Sequence, residues 1–253
     1  MNEYLRKIKL EKRMVLIIQI SILFLFLILW EVLSRFNIIN SFIFSSPSNI
    51  FSGLINMIID GSLFNHLFTT IYEIIISFVL GFVISFILAI LLYLFPLFHR
   101  VVDPYLTILN SLPKVALGPL LIIWFGARVS SIIIMALLIN VIVSTISIYT
   151  GFVKVDKYYL QLFKSFRANK RKTLLYLVIP SSRVNIISSL KLNLAMSCIG
   201  VIMGEFLVSK AGIGYLILYG SQVFNLNLVM CGIFILTIIS YLMYKVILLI
   251  SKK

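Results

Sequence analysis

The sequence predicts an all-α, polytopic membrane protein with about six transmembrane helices. Three observations lead there. Of its 253 residues, 61% are hydrophobic and only 12% are charged, whereas soluble domains average about 45–50% apolar and about 25% charged. Several uncharged runs exceed the roughly 20 residues that cross a bilayer as a helix. The runs are continuous, which excludes the apolar–polar alternation of a membrane β-barrel. Helices are then the remaining way to satisfy a backbone in lipid.

Residues 1–13 carry Arg6, Lys7, Lys9, Lys12 and Arg13 and read as a cytoplasmic N-terminal segment. The first span, 14–34, is too long for a signal-peptide core and shows no small-x-small cleavage pattern, so it is retained. Ser45-Ser46-Pro47-Ser48 is turn-rich. After it, Asn49–Ile59 places Ile50, Leu54 and Ile58 at helical spacing, as in a short helix lying at the surface. The second span, 68–95, ends at Pro96. A third span covers about 105–125 and a fourth about 130–150. A basic connection runs from Gly151 to about Arg183, and the fifth span is 184–207. Gly212-Ile213-Gly214 leads into a second surface segment, and the sixth span is 227–249. Residues 14–250 thus form a single transmembrane domain.

The net charge of +14 would suggest nucleic acid in a soluble protein. Its distribution says otherwise. With both termini inside, 17 of the 22 Lys and Arg residues fall in inside segments and three, Arg35, Arg128 and Lys210, fall outside. That bias sets an N-in, C-in orientation, with the lipid bilayer and not nucleic acid as partner. Cys198 and Cys231 lie in apolar runs with neither metal-ligand nor disulfide spacing. His66 and His99 have no neighbours that complete a nucleophile or metal set. No catalytic constellation, metal site or cofactor is expected, and no G-x-x-x-x-G-K-[ST] stretch could cradle a nucleotide.

The long inside connection, about 152–183, invites a functional reading. Tyr159, Leu162, Phe163 and Phe166 recur at helical spacing, with Lys157, Gln161, Lys164 and Ser165 opposite, so residues 156–166 read as an amphipathic helix. A second helix, about 170–179, is expected to end before Pro180. Periodicity alone leaves two readings open: a helix resting on anionic lipid, or one that docks a partner.

Here the sequence resembles a family. Tyr159–Pro180 is similar to the cytoplasmic Glu-Ala-Ala loop of binding-protein-dependent ATP-binding-cassette (ABC) importer permeases. Ile179-Pro180 matches its closing pair. Counting back sets Gln161, Leu162 and Phe163 on the Glu-Ala-Ala positions and Arg167 on the glycine. All four depart from the pattern. Arg167 does not easily take the positive φ that glycine supplies, so the turn is expected to move to Asn169, which tolerates it. Leu112-Pro113-Lys114-Val115-Ala116-Leu117-Gly118-Pro119-Leu120, running to Trp124-Phe125-Gly126, resembles the third span of nitrate/sulfonate/taurine-type permeases. Trp30-Glu31, Pro47-Ser48, Gly204-Glu205-Phe206-Leu207 and Gly212–Ile217 extend the likeness over roughly residues 25–245. Glu73 departs from it, standing where a basic residue is expected.

The resemblance implies the type I importer permease fold. It also implies a second permease copy making a homodimer, two separate ATP-binding subunits and an extracytoplasmic solute-binding protein. The solute would be small and polar or anionic, such as nitrate, a sulfonate, taurine or a thiamine-precursor pyrimidine. Gln161, Leu162, Phe163, Phe166, Arg167 and Pro180 become the ATPase-coupling residues. Among ionisable groups at membrane depth, which are costly and often functional, Glu73, Lys114 and Glu205 stand out. Lys114 is read either as the partner of Glu73 or Glu205, or as positive charge offered to an anionic solute. Glu31 and Lys191 are expected to snorkel. Asn140, Ser144, Thr145 and Ser147 give the fourth span a polar stripe that lines the pathway or bonds to other helices. The alternative function is a secondary transporter or channel with no ATPase partner, for which inverted repeats and paired broken helices are the signs. A membrane enzyme would need clustered catalytic groups. On this reading Phe163→Glu should abolish coupling and leave insertion intact, as checked by ATPase co-purification.

Overall fold

A computed structural model describes the backbone of residues 2–251 and the side chains of residues 11 and 13–249. The basic side chains of Arg6, Lys7, Lys9 and Lys12, and all of Lys252 and Lys253, lie outside the described residues. Every described element is helical: α1 (Asn2–Arg35), α2 (Ser41–Phe44), α3 (Pro47–Ile59), α4 (Ser62–Leu94), α5 (Pro96–Ser111), a 3-10 turn (Lys114–Leu117), α6 (Gly118–Phe125), α7 (Val129–Val153), α8 (Lys157–Ser165), α9 (Lys170–Thr173), a π turn (Leu174–Val178), α10 (Ile179–Ser181), α11 (Arg183–Val208), α12 (Ile213–Gln222) and α13 (Leu226–Ser251). Among the described residues, five helices are long and apolar enough to span a bilayer, and a sixth span is reached by joining α5 to α6.

That sixth span corrects the sequence reading. Residues 105–125 are not one straight helix. Pro96–Ser111 and Lys114–Phe125 meet at a bend of 86°. Leu112 is extended (φ −64°, ψ 138°), as the residue before a proline tends to be. Pro113 has no N–H to continue α5. Pro119 follows within the first turn of α6, where proline is tolerated.

The chain divides into two compact units. The first comprises residues 1–63 and 217–233. In it Pro47 opens α3 behind Ser46, whose side chain accepts from the Asn49 N–H, a helix start built as such starts usually are. Glu31, expected to snorkel, reaches the same helix end. Its carboxylate accepts from the Ser48 N–H (3.0 Å) and hydroxyl (2.9 Å) while pairing with Arg35 (2.8 Å). Asn227 ties α13 to α3, accepting from the Ser45 hydroxyl at 2.9 Å and donating to the Asn49 carbonyl at 3.2 Å. Much of α1 is apolar and exposed, as at Leu16, Ile22, Phe24 and Leu25. In a membrane such surface faces lipid or another subunit.

The second unit comprises residues 64–216 and 234–253. Its centre is the packing of α4, α7, α11 and the end of α13 through Ile74, Ile132, Ala136, Leu194, Val201 and Ile247. Small residues bring α7 and α11 close. A methyl group added at Gly200 would overlap the Ala136 backbone, and one at Gly204 would press on Ile132. Close approach by small residues replaces, in lipid, the hydrophobic drive that associates helices in water. A second cluster, Ala89, Ile148, Phe152, Val155, Leu174, Leu177 and Val178, closes the end beneath α8 and α9. The helical stretch after Asn169 does not stop before Pro180, as expected. It widens into a π turn in which Ile179 N–H bonds to Leu174 O and passes through Pro180 to Ser181. The wider turn accommodates a residue with no N–H of its own. Gly200→Val should therefore destabilise the second unit by about 1–3 kcal/mol, read as a lower melting temperature of the detergent-solubilised chain.

Candidate functional site

The connection between α7 and α11 folds as a capped, exposed helix followed by a tight reversal. Asp156 caps α8, its carboxylate accepting from the Tyr158 N–H at 2.9 Å. At the other end Arg167 N–H bonds to Lys164 O and Ala168 N–H to Phe163 O, both at 3.0 Å. These are the two bonds of a Schellman ending. The residue at its left-handed position is Arg167, with φ +55°. Asn169 is extended (φ −72°, ψ 164°) and its side chain accepts from the Lys172 N–H, capping α9. The expected relocation of the turn to Asn169 is thus overturned. The bond pattern of the helix end demands positive φ two residues after Ser165, whatever side chain sits there. Arg167 accepts a strain of roughly 1–2 kcal/mol to supply it.

The apolar residues of α8 point two ways. Leu160 and Phe163 pack inward on the Phe152–Leu174 cluster. Tyr158, Tyr159, Leu162 and Phe166 are exposed, Phe166 at 74%. Gln161, Lys164 and Arg167 are exposed beside them, and Pro180 is exposed in the returning helix. Phe163 therefore seats α8 on its own unit. Phe163→Glu would bury a charge there, so it does not isolate docking.

The intramembrane polar residues form a sealed seam. Asn140 is fully buried, donating through Nδ2 to Ser77 O at 3.0 Å and to Ser197 Oγ at 2.7 Å. Ser144 meets the Asn193 amide at 3.1 Å, and Ser147 meets Ser189 at 2.7 Å. Ser85 donates to Gly81 O and Val141 O. Through Asn140, Ser144 and Ser147 the stripe on α7 bonds across to α4 and α11, whereas the buried Thr145 hydroxyl has no hydrogen-bond partner. Ser77, Ser197 and Asn193 were not singled out from sequence. Their buried helical register on α4 and α11, facing the α7 stripe, was the available signal.

Above the seam two carboxyls meet. Glu73 and Glu205 are both completely buried, and Glu73 stands one turn along α4 from Thr70, whose hydroxyl bonds the Glu205 carboxylate. Glu205 is well held. It accepts from the Thr70 hydroxyl at 2.6 Å and from the Gly214 N–H at the start of α12, while Thr70 Oγ1 accepts from the Ile213 N–H at 2.7 Å. The turn before α12 wraps the carboxylate so closely that a Cβ at Gly212 (φ +116°) would overlap it. Glu73, by contrast, has no hydrogen-bond partner on either oxygen. Lys114 pairs with neither. Its ammonium donates to Asn110 O at 3.2 Å, and among the described residues the ion pairs are Arg35–Glu31 and His99–Asp103. The expected pairing fails because Lys114 sits at the bend between α5 and α6, half-exposed. Lys191 lies 5.7 Å from the Tyr244 ring centre, a cation–π distance. Among the described residues no His, Cys, Asp and Glu group could hold a metal.

These features define a class, that of a multi-pass membrane transport permease. The chain belongs to the family described as binding-protein-dependent transport system inner membrane component, whose model matches residues 81–253. It is accordingly the membrane-spanning permease subunit of an ABC importer. A Haemophilus influenzae ABC transporter permease protein is 31% identical over 57% of this chain and 59% of its own length. A Bacillus subtilis permease named for aliphatic sulfonates transport is 26% identical over 89% of this chain and 82% of its own. The taurine transport system permease of Escherichia coli is 21% identical over 96% and 91%. A solved structure of the MetNI methionine ABC transporter, inward facing, matches 74% of this chain and 93% of its own with TM-score 0.66 at 16% identity, a likeness of fold. Arg167→Gly should remove the helix-end strain and stabilise the chain by about 1 kcal/mol. Slower proteolysis of the α8–α9 connection, with a raised melting temperature, is the readout.

Proposed function

We propose that residues 14–250 act as one permease domain that pairs with a second, identical copy, and that α8 docks into two separate ATP-binding subunits. The supporting observation is the exposed group Tyr158, Tyr159, Leu162 and Phe166 on a helix whose other side is fixed by Leu160 and Phe163. Such a helix can seat in a partner's groove, and its inward side makes it rigid enough to carry force into α7 and α11. Leu162 and Phe166 are the docking anchors, Gln161, Lys164 and Arg167 the rim, and Pro180 part of the return. Closure of the ATPase pair moves α8, and the spans rock between inward-open and outward-open states. The chain itself hydrolyses no nucleotide. Its basic segments favour cytoplasmic termini, and an extracytoplasmic binding protein delivers the solute on the other side.

The solute is a small anion of the sulfonate or taurine kind. The names of the two relatives that align over most of their length support this. So does Lys114, a cation with no carboxylate partner at the bend of a broken span. Broken spans are where transporters commonly bind solute.

Two measurements test this reading. Leu162→Glu with Phe166→Glu should weaken ATPase binding on the order of tenfold to a hundredfold, with insertion unchanged; undiminished ATPase co-purification would overturn the docking role. Lys114→Ala should raise the half-saturating concentration for sulfonate uptake while ATPase assembly persists, and unchanged uptake would remove Lys114 from the solute path.

A further inference from the structure

The intramembrane pair Glu73–Glu205 is not accounted for by docking or by solute charge. Its two members are differently placed. Glu205 is embraced by donors: the Thr70 hydroxyl and the backbone N–H groups of Gly214 and Tyr215, at the N-terminal end of a ten-residue helix. That end favours negative charge. Glu73 projects from α4 into the same enclosed space with nothing donating to either oxygen. Buried acceptors left without donors are rare, and two carboxylates sharing a dry site cannot both stay ionised without a compensating positive charge. No ion pair reaches either one among the described residues.

The other groups facing the pair do not supply that charge. His66 on α4 accepts the Gly212 N–H through Nδ1 at 3.0 Å and stacks on Tyr215 at 5.9 Å. It thus braces the turn that wraps Glu205. The α7 residue packed nearby, Ile132, is apolar, as is Ile74 on α4. The missing partner is therefore a small cation that enters the pair itself.

We propose that Glu73 and Glu205 form a proton-binding site, in which Glu73 is held as the neutral acid and donates its O–H to the Glu205 carboxylate. One proton adds to one Glu73 oxygen, and the charge of the pair falls from two negative to one. The bound proton gives Glu73 the hydrogen bond it otherwise lacks, and clasps α4 to α11 and to the turn before α12. The unfolded chain releases this proton at neutral pH, so folding takes it up. Stability is then full where an unfolded carboxyl is itself protonated, and it falls as the pH rises from there until the folded pair too is stripped.

The test uses the full chain purified in detergent. Infrared spectra at neutral pH should show a carboxylic-acid C=O band that shifts in D2O, readily assigned because the chain has only eight Asp and Glu residues. The band should vanish in Glu73→Gln and survive in Asp60→Asn. The wild-type melting temperature should fall by several degrees from mildly acid to alkaline pH, whereas Glu73→Gln, which keeps a donor and carries no charge, should melt near the wild-type value at neutral pH with no such slope. Absence of the acid band from the wild-type chain at neutral pH overturns the proposal without reference to any variant. A wild-type melting temperature that climbs with sodium or potassium at fixed pH, and loses that response in Glu73→Gln, overturns it too, since a metal cation would then hold the pair.

Discussion

Inside a bilayer no water stands ready to satisfy a polar group, and the second unit is organised by that constraint. Several of its polar residues at membrane depth are placed where they meet one another: Asn140 with Ser77 and Ser197, Ser144 with Asn193, Ser147 with Ser189. Each such bond has modest strength in lipid, around 0.6 kcal/mol on average. What they contribute is register. If α7 turned by one residue relative to α11, Asn140 would lose Ser197 and face hydrocarbon, at a cost of several kcal/mol. Gly200 and Gly204 act with the same seam, since hydrogen bonds between short side chains need backbones close enough to reach. Small residues and polar residues on these helices are thus two parts of one device.

How legible this was in the sequence depended on whether local pattern or tertiary context decided each element. Long apolar runs set α7, α11 and α13 and the ends of α1 and α4 close to their observed limits, because in lipid an unbroken run has no structure available but a helix, whereas α1 begins twelve residues before its apolar run, at Asn2. The bend at Leu112–Pro113 was harder to see. Apolar composition continues through it, and only the geometry of two prolines within seven residues marks the break. Pro180 misled in the opposite direction. A proline usually ends a helix, but here the packed Leu174, Leu177 and Val178 side chains hold the backbone together through a π turn.

Arg167 and Asn169 show a further limit. Residue preference said that asparagine should take the left-handed position, yet helix geometry assigns positions by count from the last turn. Asn169 was better used as the cap of the next helix, where its side chain satisfies a free N–H. The aromatic periodicity of α8 was read as one face; the structure divides it, with Leu160 and Phe163 inward and Leu162 and Phe166 outward. A nine-residue helix held against a unit on one side has room for both, and only the packing partner, absent from the local sequence, decides which residue serves which purpose.

Glu31, Glu73, Lys114 and Glu205 looked alike in the sequence, as single charges within or beside apolar runs, and the structure gives them three different solutions. Glu31 lies where a helix begins and finds an arginine one turn away, so its charge is spent on capping α3. Lys114 lies where a span breaks, and stays half-exposed with only a carbonyl to bond. Glu205 is buried but surrounded by donors from a helix start, which leaves Glu73 as the group with no ready answer. Charge alone did not separate these cases. The separating variable is how many donors the surrounding backbone can aim at each carboxyl, and that is set by where helices begin. The glycines at 212 and 214 matter for this reason: they let the chain start a helix against Glu205, which makes that carboxylate comfortable and throws the burden of neutrality onto its neighbour across the interface with α4.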